Sequence, residues 1–361
     1  MKSRIASIEY IRGLGMLGVV GIHTGAFSLS NPQANVHLFA LLEIVSRFSV
    51  PIFFFVSAFA LFRQYPLEQS FAAGHFFRRR FQHVLLPYVL WSLFYMLHYS
   101  YATGDRSIWL PRLVYNYILF GAASYQLYFL VILLWFYLLM PFWRVCVRKI
   151  LQNPAIALFW LLVLQIAFNY YSSYVLRPHF SSYYANLFIE YRMSYWPFHY
   201  VFLFLLGGVF AARYDEVLVC LRRYSRWVSS LFWLALAALL AQYYFLLYVR
   251  QVSPEQAVNL AHQLSPAGVV YSVMACFYLV LWFESPLPPF VAKILSTAGR
   301  YSYGVFLIHP LFMYYFSQFL ENQGMLMTAP VTIAFYTATV LCSLVYATAA
   351  EAFVSRLRSI L

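Results

Sequence analysis

Long apolar runs alternate with short polar segments along almost the whole of this 361-residue chain. A helix needs about 20 mostly apolar residues to cross the hydrocarbon core of a bilayer. Ten windows come close to that, near 8–29, 41–63, 84–102, 124–146, 154–173, 196–214, 228–248, 266–284, 300–320 and 328–354. The connections between them, such as 64–83, 103–123, 174–195 and 249–265, are too short to fold as separate domains. The expected fold is therefore all-α: a polytopic membrane helical bundle of about ten transmembrane helices in one domain spanning 1–361. In the 300–320 window, Pro310 removes a helical hydrogen bond, so a kink or break is expected there.

Composition strengthens the membrane reading. The chain is 63% hydrophobic and 10% charged, a balance that excludes a soluble domain of this length. A net charge of +13 would suggest nucleic acid in a soluble protein, but it has another source here. With a cytoplasmic N-terminus, 17 of the 24 Lys and Arg residues fall on the cytoplasmic side, five in outer loops, and Arg12 and Arg47 inside spans. That bias predicts both termini in the cytoplasm, a multi-pass place in the cell membrane, and no nucleic acid. Cys146, Cys220, Cys276 and Cys342 stand singly in apolar stretches, so neither a metal site nor a disulfide is expected.

The first window carries chemistry. His23 follows Arg12 by eleven helical steps, which leaves the two within about 20° of one face and about 16 Å apart along the axis. Glu9, three residues before Arg12, reaches the same stripe, while Gly18, Gly21 and Gly25 gather where a neighbouring backbone can approach. A plain account has Arg12 snorkelling to the headgroups and His23 making one interhelical hydrogen bond. Against it, ionisable groups near mid-membrane are costly and usually face a cavity or a polar partner. A neutral imidazole there suits a general base.

Other segments add candidates. "HFFRRRFQHVLLPY" places Arg78, Arg79 and Arg80 before the third window, where they serve either the positive-inside bias or an anion site. Ser57 sits in "FSVPIFFFVSAFALF", able to bond a carbonyl or line a cavity. Arg47 precedes Pro51 by one turn and is expected either to snorkel outward or to meet a polar substrate. In "SYGVFLIHPLF", Tyr303 and His309 are expected to line a cavity, with His309 aimed there by a break at Pro310.

Taken together, these segments resemble the acyltransferase 3 family of integral membrane acyltransferases over nearly the whole chain. The resemblance rests on "IEYIRGLGMLGVVGIH", "VPIFFFVSAF", "FFRRRFQHVLLPYVLWSLFY", "YQLYFLVILLWFYLLMP" and "AGRYSYGVFLIHPLF", in that order. The chain departs from the family pattern at Arg80 followed by His83 in the basic loop, at Ala58, and at Gln126, Leu127 and Tyr128. The resemblance implies an O-acyltransferase that moves an acyl group, acetyl being expected, from cytoplasmic acyl-CoA to a hydroxyl of a cell-surface polysaccharide or related glycan. It implies His23 as catalytic base, Arg12 supporting it or the donor with Glu9 orienting Arg12, and Arg78, Arg79 and Arg80 holding the phosphates of CoA. Acyl-CoA is then a co-substrate, and no cofactor is permanently bound. Expected partners are membrane lipid, the glycan or lipid-linked carbohydrate acceptor, and a second copy of the chain. The rival readings are a transporter or flippase for a lipid-linked sugar and a non-catalytic partner of a polysaccharide synthase.

Overall fold

The computed structural model describes residues 5–29, 35–177 and 180–360. It is all-helical, with 84% of residues in helices and no strand among the described residues. Among the described residues, five helices are long and apolar enough to cross a membrane: Val36–Gln64, Pro154–Val175, Ser225–Tyr248, Pro266–Phe283 and Ala329–Arg356. A sixth span is possible from Tyr128–Leu138 and Met140–Ile150, a pair bent by 71°. The bend falls within the expected 124–146 span, at a point where Pro141 has no amide hydrogen to offer the Tyr137 carbonyl.

Other expected windows are helical but more polar or shorter. The first helix, Ala6–Ser28, is 23 residues long, but Glu9, Arg12, His23 and its glycines dilute its apolar content. Pro197–Ala212 is apolar and short. The 300–320 window lies inside one helix, Pro289–Asn322, and Pro310 does not break it, contrary to expectation. Pro310 is buried in a helix that packs against both the first helix and the last, and these neighbours hold it continuous across the missing bond.

Short polar residues start the helices. The Asn35 side chain accepts from the His37 and Leu38 amides at 3.1 and 3.0 Å. Ser253 and Ser265 do the same for Gln256 and Gly268, each followed by a proline whose missing N–H costs nothing in a first turn. Within Val36–Gln64 the winding changes from α to a π turn at Ala40–Ile44 and a 3-10 turn at Val45–Phe48 before resuming. Pro51 explains part of this, since it leaves the Arg47 carbonyl without its usual donor.

The chain divides into two compact units, Met1–Val56 with Tyr214–Leu361, and Ser57–Arg213. In the first, the opening helix lies between Pro289–Asn322, the 40–48 turns and Ala329–Ile360, over a core of Met16, Val19, Val20, Val305, Met313 and Phe335. Small residues set the spacing, as expected for helices that associate without a hydrophobic drive. A side chain at Gly18 would strike Ser49, and one at Gly25 would stand 2.6 Å from Glu43 Cγ. A side chain at Gly13 would strike the Leu295 carbonyl, and one at Gly299 the Glu9 carbonyl. The second unit contains Leu86–Thr103, the bent pair, Pro154–Val175 and Pro197–Ala212. There Arg144 donates to the carbonyls of Tyr65, Pro66 and Gln69, and Arg148 to that of Leu67, pinning the loop that leads into the basic helix Ala73–Arg80.

Candidate active site

Two histidines meet in the first unit. His23 comes from the opening helix and His309 from Pro289–Asn322, and their rings stack with centroids 5.4 Å apart and planes 21° apart. His309 is fully buried, with Nδ1 3.0 Å from the Val305 carbonyl. A carbonyl only accepts, so Nδ1 carries the proton in this contact. His23 is half-buried. Of the pair, His23 alone keeps accessible surface.

Arg47 supplies charge to this region. Arg47 is 8% exposed and lies within electrostatic reach of His23. It does not snorkel outward: it pairs with Glu43 at 3.3 Å and donates to the Val258 carbonyl at 2.9 Å and to Gln263 at 3.5 Å. Burial forces this arrangement, because an unpaired guanidinium in an apolar interior is far costlier than a paired one. Its Nε is buried and has no acceptor among the described residues.

Arg12 occupies the other end of the shared helix face. It donates to the Ser302 hydroxyl at 3.0 Å, and that hydroxyl donates to the Gly299 carbonyl at 2.9 Å. Glu9 sits one turn earlier, with its backbone against Gly299. Tyr303 follows Ser302 and is half-buried. The structure thus gathers Glu9, Arg12, His23, Arg47, Tyr303 and His309 into one unit. Ser57, half-buried, and Arg78, Arg79 and Arg80 belong to the other.

In the second unit Arg78 is exposed, while Arg79 and Arg80 are half-buried. Phe76, fully buried, anchors their helix against Tyr65 and Tyr137. Arg80 stands over the Phe76 and Tyr137 rings at 5.4 and 5.3 Å. It also lines an apolar groove of about 510 Å³.

Glu43, Ser302 and Gln263 are site neighbours that sequence reasoning missed. The i, i+4 spacing of Glu43 and Arg47 was a readable signal for an ion pair. Ser302 and Gln263 carried no such mark, since their partners lie hundreds of residues away.

A family model described as an acyltransferase domain, acyltransferase 3, matches residues 5–348. The chain belongs to the acyltransferase 3 family. The match runs from before Glu9 to beyond His309 and takes in both compact units. No curated protein and no solved structure matches it. As a member of the acyltransferase 3 family, the chain carries an acyltransferase domain together with helices able to cross a membrane.

One other cluster in this acyltransferase 3 chain has the outline of a nucleophile and base. Ser172 and His199 lie 2.8 Å apart, with His199 Nδ1 3.3 Å from the Trp196 carbonyl. Both residues are sealed, at 0% and 1% exposure, within a network that includes Gln165, Asn169 and Arg192. No substrate reaches them as they stand, and their bonds satisfy the irregular backbone around the π turn at Tyr171–Val175.

Proposed function

We propose that this protein is a membrane-embedded O-acyltransferase that takes an acyl group from acyl-CoA and places it on a hydroxyl of a surface glycan or lipid-linked carbohydrate. The observation that carries the reading is the accessible His23 imidazole, stacked on a tautomer-fixed His309 within reach of the Arg47 charge, in a chain of this family.

In the proposed reaction His23 accepts the acceptor's hydroxyl proton as the oxygen attacks the thioester carbonyl. The Arg47 Nε–H is the donor offered to the resulting oxyanion. Collapse breaks the C–S bond, and the departing thiolate takes the proton back from His23, giving ester and free CoA. Arg12 and Glu9 orient the opening helix through Ser302 and Gly299, and Arg78, Arg79 and Arg80 hold the phosphates of CoA. Tyr303 lines the acceptor's path. The proposal places the protein in the cell membrane with about ten spans, short or polar helices included, and both termini in the cytoplasm.

The test is purified full-length protein given radiolabelled acyl-CoA and cell-surface glycan. Label should move to glycan with release of free CoA, and His23→Ala should cut both by about 10²–10⁴-fold. A carrier would release no CoA. Full transfer by His23→Ala sinks the mechanism.

A further inference from the structure

The stretch 258–271 holds the irregular part of the helix Val36–Gln64 at two points, one on a side chain and one on the backbone. Tyr271, on the helix Pro266–Phe283, is 1% exposed, and its hydroxyl donates to the Val45 carbonyl at 2.7 Å. Val45 opens the 3-10 turn, and the Ser49 amide that would bond its carbonyl in an α-helix bonds the Ser46 carbonyl instead. Tyr271 therefore supplies a hydrogen bond that the tighter winding gives up.

Arg47 lies two residues further along the same turn. A 3-10 turn advances about 120° per residue and an α turn about 100°, so relaxation to α would swing the root of the Arg47 side chain by about 40° relative to Val45. The head of the side chain is held separately, Nη1 by Gln263 and Nη2 by Glu43 and the Val258 carbonyl. With both ends engaged, the direction of Nε depends on where the root stands, and Nε is the donor left without an acceptor among the described residues. Tyr243 offers a comparison on the same helix. It is fully buried and donates to the Val36 carbonyl at 3.0 Å, before the 3-10 turn begins.

We propose that Tyr271 is a positioning residue for acyl transfer: its hydroxyl holds the 3-10 winding that points the Arg47 Nε–H toward the reacting carbonyl oxygen. The proposal rests on the oxyanion role given to Arg47 above and adds the group that aims it. The Tyr271 ring has a separate part in packing, against Phe48 and Phe232 at 6.1 and 5.7 Å, which Tyr271→Phe leaves in place.

The experiment measures kcat and KM for transfer from radiolabelled acyl-CoA to cell-surface glycan, and melting, with the folded full-length protein in phosphatidylcholine nanodiscs. Arg47→Lys keeps a charge opposite Glu43 but lacks the guanidinium Nε–H, and should lower kcat about 10²-fold. Tyr271→Phe should lower kcat about tenfold with KM unchanged, as for an interaction that matters only in the transition state. In the double variant of Tyr271→Phe and Arg47→Lys, kcat should equal that of Arg47→Lys alone, because the tyrosine acts through a group already removed. Tyr243→Phe should lower melting as far as Tyr271→Phe does and leave kcat unchanged. Full kcat in Tyr271→Phe, an equal kcat loss in Tyr243→Phe, or losses that multiply in the double variant overturn the positioning role and leave the acyltransferase reading standing. A Tyr271→Phe protein that is not recovered folded overturns it as well, since the hydroxyl would then hold the fold rather than the site. Full kcat in Arg47→Lys overturns the oxyanion role and the positioning role together, and no transfer by the unaltered protein overturns the acyltransferase reading itself.

Discussion

The two buried histidine centres have much the same ingredients and opposite character. His199 has a partner at each ring nitrogen, the Ser172 hydroxyl and the Trp196 carbonyl, and is almost wholly enclosed. Around it Gln165 bonds Asn169, the Phe198 carbonyl and the Phe202 amide, and Arg192 reaches the Ser172 and Ile189 carbonyls. His23 instead packs face to face on a second imidazole and keeps accessible surface. Polar groups that are fully satisfied in a sealed interior specify a fold. Chemistry needs an ionisable group left open to a substrate, and a neighbouring charge that serves the reaction.

The contrast can be broken by exchanging the outcomes of matched substitutions. The largest effect is expected at His23: His23→Ala should reduce acyl transfer by about 10²–10⁴-fold, the usual contribution of a general base, with an unchanged melting curve. Glu43→Ala should cost about 3–5 kcal/mol of stability by leaving the Arg47 guanidinium buried without its carboxylate. Denaturant titration in detergent checks this, and removing both charges together should recover part of the loss. His199→Ala should cost about 1–3 kcal/mol by unpairing Ser172, while the folded fraction keeps its specific activity. If transfer instead fell as far as with His23→Ala, the two centres would not be distinct in kind. The smallest effect is expected at the exposed Arg300–Glu351 pair, where Glu351→Ala should leave both melting and transfer unchanged.

Sequence periodicity revealed some parts of the site and not others, for physical reasons. The shared face of Arg12 and His23, and the small-residue packing of Gly18 and Gly25, follow from 3.6 residues per turn, and the structure shows that packing against Ser49 and Glu43. His309 was legible as a polar residue in an apolar run, but the continuity of its helix was not. Whether Pro310 bends the chain depends on neighbours that no local pattern describes. Arg47 was read as snorkelling or meeting substrate because its partners at Val258 and Gln263 come from a distant connection. The bend at Leu139 was missed because hydropathy sums over Pro141 without registering its lost donor. The opening helix is less apolar than a plain span because it carries Glu9, Arg12 and His23, so hydropathy alone undervalues it.

The reciprocal glycine contact of the opening helix has a geometric consequence. His23 lies ten residues beyond Gly13, and His309 lies ten residues beyond Gly299. Each helix therefore measures about 15 Å from a common fulcrum to its imidazole. The two arms are of equal length and run the same way, since the helices meet at Gly13 and Gly299 and again at His23 and His309. A slip of one turn, about 5.4 Å, would carry one ring a full stacking distance past the other. The alignment of the imidazoles is gauged from a point where no substrate need ever come, and a single methyl group added at Gly299 would act on the chemistry as a change of calibration.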